Sequence, residues 1–165
     1  MLPGLGIDFG AVIAERAFGD EVHPAELPPA CIDPVPNAFN TIAEMNELLR
    51  GRVWIVSKSA PATKSTARAW LKYHHFSETT GVGPRQVHFV RDRSGKLEKC
   101  RELGITHFVD DRLKNLEVLV GHIEHLYLFG GDAVSQGIIA VRDWVELGCL
   151  LRQSILSDGH VPADS

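Results

Sequence analysis

Asp8, Ser57 and the adjacent pair Asp110 and Asp111 each close a short apolar run, at 5–7, 53–56 and 105–109. A carboxylate, a hydroxyl and a second carboxylate pair at successive strand ends suit phosphate and metal chemistry. Mg²⁺ prefers oxygen ligands in near-octahedral order and usually takes one or two carboxylates, completing its shell with water and substrate phosphate oxygens. Asp8 and Asp110 are the residues to supply them. An ionised aspartate beside such a cation can also attack phosphorus, forming an aspartyl-phosphate that water later hydrolyses. Ser57 would donate a hydrogen bond to the phosphoryl group. Each residue also has a plainer reading: Asp8 as a turn residue, Ser57, Asp110 and Asp111 as helix caps.

These residues need a scaffold that brings distant strand ends together. Apolar runs at 5–7, 53–56, 87–90, 105–109 and 125–129 predict strands. Stripes at three- and four-residue spacing predict helices over 38–50, 66–74, 96–103, 113–123 and 138–151, with Gly51 and Gly104 as stops. Strands alternating with helices imply right-handed βαβ units. The expected fold is a three-layer, doubly wound, Rossmann-like α/β sheet of about five parallel strands. In such sheets ligands bind beyond the carboxyl ends of the strands, where Asp8, Ser57, Asp110 and Asp111 would lie.

The 165 residues fit one domain, expected over 1–153, with a flexible tail over 154–165. Pro24, Pro28, Pro29, Pro34 and Pro36 mark 13–37 as a long surface loop. An apolar share of 44% and a charged share of 23% describe an ordinary globular chain. A net charge of −4 with interspersed signs gives no basic stripe, which argues against nucleic acid. Cys31, Cys100 and Cys149 are odd in number and widely spaced, so a disulfide framework is not expected and a reducing compartment is. No stretch approaches the roughly 20 apolar residues of a membrane span, and the first residues lack a secretory pattern. The expected location is cytoplasmic, with no membrane partner.

Gly6-Ile7-Asp8-Phe9-Gly10, Val53-Trp54-Ile55-Val56-Ser57, Lys96 at a helix start and Phe108-Val109-Asp110-Asp111 resemble, in order and spacing, the four motifs of the haloacid dehalogenase superfamily. The resemblance runs from Leu5 to about Leu151. It implies that Asp8 is the nucleophile and a Mg²⁺ ligand, and that Ser57 and Lys96 bind the transferring phosphoryl group, with Lys99 the fallback lysine. It further implies Mg²⁺ held by Asp8, the Gly10 carbonyl, Asp110 and Asp111, the last directly or through water. A lysine beside the phosphoryl group makes physical sense, since positive charge there stabilises the transition state.

One position departs from the family pattern. Family phosphatases carry a second aspartate two residues after the nucleophile, which protonates the leaving oxygen and then activates water; here Gly10 stands in its place. General acid/base assistance contributes roughly 10²- to 10⁴-fold in rate, so ordinary alkyl phosphates are expected to be poor substrates. Three outcomes follow. The chain is a phosphohydrolase or phosphotransferase for activated substrates such as acyl phosphates. Or it is a degenerate domain that binds a phosphorylated small molecule or a phosphoprotein without turnover. Or it performs carbon–halogen or carbon–phosphorus chemistry, disfavoured by the metal-type pair Asp110 and Asp111. The 13–37 loop stands where family members insert a cap, and is short enough to leave the site open to a large substrate, a partner protein or a second subunit.

Other polar and aromatic residues read as structural. His74, His75, His122 and His125 have no converging third ligand. Gly130-Gly131-Asp132 reads as a turn, and Trp54, Trp70 and Trp144 as packing.

Overall fold

The computed structural model describes residues 2–16, 27–132 and 137–158. Six parallel strands form one sheet: β1 (Leu5–Ile7), β2 (Val53–Lys58), β3 (Val87–Val90), β4 (His107–Asp110), β5 (His125–Phe129) and β6 (Ile138–Val141). Their order is β3-β2-β1-β4-β5-β6. The sheet grows outward from β1 in one direction through β3 and from β4 in the other through β6. The β1–β4 boundary is therefore the topological switch point at which open α/β sheets leave a crevice.

Among the described residues, six α-helices cover the two faces: α1 (Ala38–Leu48), α2 (Pro61–Tyr73), α3 (Phe76–Thr80), α4 (Arg93–Leu103), α5 (Leu113–Glu117) and α6 (Trp144–Asp158). On one face Ile42 and Met45 of α1, Trp70 of α2, Phe76 of α3 and Leu147 and Leu151 of α6 share a core with Leu5, Ile7 and Val53. On the other, Cys100 of α4 and Leu116 of α5 pack with Val56, Phe108 and Leu126. The layers touch closely at Gly6, where a Cβ would stand 2.5 Å from the Phe108 ring. No larger residue fits between β1 and that ring.

Several expected boundaries shift for local reasons. Over 138–141 the structure forms β6 rather than the start of a helix. The run Ile-Ile-Ala-Val favours extended backbone, and the helix begins only after Asp143, whose Oδ1 accepts from Glu146 N at 2.9 Å. That helix continues to Asp158 with Ile155 buried, past the expected boundary at 153; residues 159–165 lie outside the described residues. Helix α2 starts at Pro61, five residues before the expected 66, because proline suits a first helical turn. Helix α4 starts at Arg93, capped by Asp92 through Gly95 N at 2.7 Å, so Lys96 falls inside its first turns. Helix α5 covers only the first five residues of the expected 113–123 segment, and the chain then turns into β5.

The Pro-rich excursion is anchored rather than superficial where it leaves β1. Val12, Ile13 and Ala14 are buried, Ala14 bridges both Gly10 and Pro34, and Val35 N donates to Ile13 O at 2.8 Å. Residues 17–26 of that loop lie outside the described residues. Trp70 and Trp144 are buried, their indole N–H groups donating to Ile32 O at 2.9 Å and Val12 O at 2.7 Å, and so tie both flanks of the excursion to the core. Among the described residues no helix is long and apolar enough to cross a membrane.

Candidate functional site

Register alone brings the acids together. Ile7 is level with Val109 on β4 and with Ile55 on β2, so Asp8 and Asp110 leave adjacent strands at the same height. Asp8 N donates to Val109 O at 3.0 Å, which fixes that height. Ser57 sits on β2 just beyond, 6% exposed, and its hydroxyl has no hydrogen-bond partner among the described residues. Asp111 follows Asp110 and turns back toward the same rim: one oxygen each from Asp8, Asp110 and Asp111 lie within 4.8 Å of one another.

Lys96 enters from α4 beneath this cluster, fully buried. Its Nζ lies 2.6 Å from Asp110 Oδ2 and 3.3 Å from Asp8 Oδ1, and 5.2 Å from the centre of the Phe108 ring. Lys99, one turn on, pairs instead with Glu102 at 2.9 Å, away from the cluster. The structure thus gathers Asp8, Lys96, Asp110 and Asp111, with Ser57 on the adjoining strand.

Asp110 is held on both oxygens. Besides Lys96, it accepts from Arg112 N at 3.0 Å and from Asn115 Nδ2 at 3.3 and 3.2 Å; Asn115 is in turn gripped by Arg93 Nε at 3.1 Å. Arg16, at the start of the Pro-rich excursion, pairs with Asp111 Oδ2 at 2.9 Å from the solvent side. Sequence reasoning missed these supports. Asn115 alone carried a signal, as an amide in a helix otherwise marked by leucines.

Three carboxylates and two cations leave the site short of positive charge. Burial is the largest cause that pushes the Asp8 carboxyl up to about 7; Lys96 opposes it, while Asp110 and Asp111 add to it. Burial likewise raises Asp110, against the pull of Lys96. Burial on its own would lower the Lys96 ammonium, yet Asp8 and Asp110 together hold it above the ordinary lysine value. One ammonium between two acids keeps its own proton firmly but cannot keep both acids ionised. Cys100, pushed to about 12 mainly by burial, is inert beside them.

The donors suit a small divalent cation. Mg²⁺–oxygen distances near 2.1 Å place opposite ligands about 4.2 Å apart and adjacent ones about 3 Å apart, so oxygens within 4.8 Å of one another would draw inward to share one ion. Hard carboxylate oxygens are the right chemistry, and among the described residues this is the one group of three or more His, Cys, Asp or Glu side chains able to hold a metal. The histidines do not converge: His75 and His122 are exposed, His74 Nε2 meets Pro29 O at 3.0 Å, and His125 stacks on His107. Gly10 is exposed, and a Cβ placed on it would meet nothing within 4 Å. The site tolerates a side chain there and simply lacks one. Gly130 adopts a positive φ of 74° in the turn after β5.

No family model and no curated protein matches the sequence. Solved structures share its fold. A haloacid dehalogenase-like family hydrolase from Xanthomonas campestris superimposes with a TM-score of 0.63 over 96% of this chain and 98% of its own, at 9% identity. DsGPDH of Dunaliella salina superimposes with a TM-score of 0.58 over 88% of this chain at 18% identity, the match spanning 28% of that longer protein. The fold is haloacid dehalogenase-like.

Proposed function

We propose that the protein is a Mg²⁺-dependent phosphohydrolase or phosphotransferase acting on an activated phosphorylated substrate through an aspartyl-phosphate at Asp8. The observation that carries this reading is the convergence of Asp8, Asp110, Asp111 and Lys96 at the switch point of a haloacid dehalogenase-like sheet. Mg²⁺, when held by Asp8, the Gly10 carbonyl, Asp110 and Asp111, would supply the positive charge that the cluster lacks and neutralise phosphoryl oxygens.

The chain's own groups divide the remaining work. Asp8 attacks phosphorus, its carboxylate oxygen forming the new P–O bond as the bond to the leaving oxygen breaks. Ser57 and Lys96 bind the transferring phosphoryl oxygens, the lysine countering charge as it builds up. Asn115, Arg112 N and Arg93 orient Asp110. With an acyl phosphate the electron pair departs on a carboxylate that needs no proton, which is why Gly10 does not block this first step. Water must then attack the phosphoaspartate with no carboxylate at position 10 to take its proton, so the second step is slow and the phosphoenzyme accumulates.

A cap-like loop as brief as 13–37 would suit a phosphorylated small molecule or a phosphoprotein, in a single chain or an oligomer. Gly10 favours a second reading, in which the domain binds a phosphorylated ligand or partner and turns nothing over. One assay separates the two. Hydrolysis of acetyl phosphate and of an alkyl phosphate is compared, with Mg²⁺ and with chelator, for the natural chain, Asp8→Asn and Gly10→Asp. The proposal expects Mg²⁺-dependent use of acetyl phosphate, its loss in Asp8→Asn, and a gain of alkyl ester hydrolysis in Gly10→Asp. Robust activity in Asp8→Asn overturns it; phosphate binding without release supports the second reading.

A further inference from the structure

The reaction proposed above assigns no group to the oxygen that leaves, and the chain lays one beside that gap. Position 10 carries no side chain, and the space where one would stand is open. Past Gly10 the backbone turns back at once: Ala11 N donates to Ala14 O at 2.8 Å, and Ala14 bridges Gly10 on one side and Pro34 on the other. Glu15 N then donates to Asp33 O at 2.9 Å, which ties down the next residue. Arg16 therefore leaves an anchored ribbon two residues past the one that pairs with Gly10. Its Nη2 lies 2.9 Å from Asp111 Oδ2, so the guanidinium stands at the aspartate cluster although 95 residues separate the two.

Two cations thus serve one cluster from opposite sides. Lys96 Nζ reaches Asp8 and Asp110 from within the fold, its side chain wholly buried; the Arg16 side chain is 72% exposed, over an Asp111 that is 8% exposed. In an in-line displacement the attacking and leaving oxygens lie on opposite sides of phosphorus. With Asp8 attacking from the rim of the sheet, the leaving oxygen points out toward solvent. That side is closed to a lysine buried beneath the acids and open to an exposed arginine. The fork also has donors to spare: among the described residues only Nη2 is engaged, and a guanidinium carries five N–H groups.

We propose that Arg16 stabilises the leaving group, supplying charge where the family pattern supplies a proton. As the bond between Asp8 and phosphorus forms and the bond from phosphorus to the leaving oxygen breaks, the electron pair stays on that oxygen. An Arg16 N–H donates a hydrogen bond to the anion so formed, and no proton is transferred, because a guanidinium keeps its own. The substrates that fit are phosphates whose leaving oxygen departs as an anion: acyl phosphates and the phosphates of acidic phenols. This rests on the phosphoryl-transfer reading of the same site, and the test tells failure of one from failure of the other.

kcat/KM is compared for acetyl phosphate and for 4-nitrophenyl phosphate, whose leaving oxygen is the more basic, in the natural chain, Arg16→Gln and Arg16→Lys. A more basic departing oxygen gains more from a neighbouring cation. Arg16→Gln is expected to lose about tenfold on acetyl phosphate and about a hundredfold on 4-nitrophenyl phosphate, the larger loss at the lower edge of what removing one transition-state donor costs. Arg16→Lys, which keeps the charge, is expected to recover most of the larger loss. Mg²⁺ binding, followed by calorimetry without substrate, separates this role from a structural one. Removing a cation from beside three carboxylates should leave the Mg²⁺ affinity of Arg16→Gln equal to or above that of the natural chain. A fall in Mg²⁺ affinity that matches the loss of rate would make Arg16 only a support for Asp111 and overturns the proposal. An active natural chain with equal losses on the two substrates in Arg16→Gln, or none, overturns the leaving-group role alone. If the natural chain consumes neither substrate, the reaction proposed above falls and this role falls with it.

Discussion

Strand β4 begins with His107 and ends with Asp110, both wholly buried, and the two ends solve the problem of buried polarity in opposite ways. At the first, both ring nitrogens meet hydroxyls, Thr106 Oγ1 and Ser154 Oγ, each at 2.7 Å, and the ring stacks on His125 with centroids 4.2 Å apart. Hydroxyls turn to donate or accept as needed, so that network closes on itself. At the second, three carboxylates crowd around one buried lysine and one surface arginine, and positive charge is missing. A closed network serves the fold. An unbalanced one is what the proposed Mg²⁺ and phosphoryl group would complete.

The comparison breaks most readily at Lys96. Replacing it with methionine leaves Asp8 and Asp110 buried without their cation, and urea unfolding should show a loss of about 3–5 kcal/mol. A loss no larger than that of a surface ion pair would mean that the acids are not held as described. The pH dependence of stability sharpens the same point. Because the folded-state value for Asp8 is raised to about 7 from an ordinary 3.8, the folded chain holds a proton that the unfolded chain has released between those values. Stability contributed by that proton is fully present below the unfolded value and is lost as pH rises through the folded one. The unfolding free energy should therefore fall by up to about 4 kcal/mol across that window and level off above it. Asp8→Asn should flatten the slope and be more stable than the natural chain at pH 8 without metal.

At the closed end, Ser154→Ala should cost about 1–2 kcal/mol by removing the hydroxyl that the His107 Nε2 meets, with acyl phosphate kinetics unchanged. A matching loss of activity would erase the distinction between the two ends. The smallest effect is expected at Ala11, which follows Gly10 with a φ of 62°. Ala11→Gly relieves that left-handed strain while loosening the unfolded chain, for a net gain of about 0.5 kcal/mol in the same unfolding measurement.

The charged end was legible because its residues terminate apolar runs, and a run's end is visible in one dimension. Asp8, Ser57 and Asp110 fall at one rim once the strands are parallel and in register. Lys96 came from a resemblance rather than from periodicity, since a lysine after Ser94-Gly95 looks like surface until the helix is seen to start at Arg93. The supports, Asn115 apart, were not legible. Arg16 reaches Asp111 across 95 residues, and Ser154 reaches His107 across 47; no local pattern encodes such pairs. Strand β6 was hidden by an apolar run that suits either period. The turn signal at Asp143, with Glu146 three residues on, marked the true helix start.

The central claim is that Asp8 attacks phosphorus and that the step after it is slow. It is tested most directly by mixing the protein with acetyl phosphate and Mg²⁺, quenching in acid, and locating any phosphoryl adduct by peptide mass spectrometry. The adduct is expected on Asp8, absent with chelator, and shorter-lived in Gly10→Asp. An adduct on another residue, or Mg²⁺-dependent turnover with Asp8 unmodified at every quench time, would contradict the account.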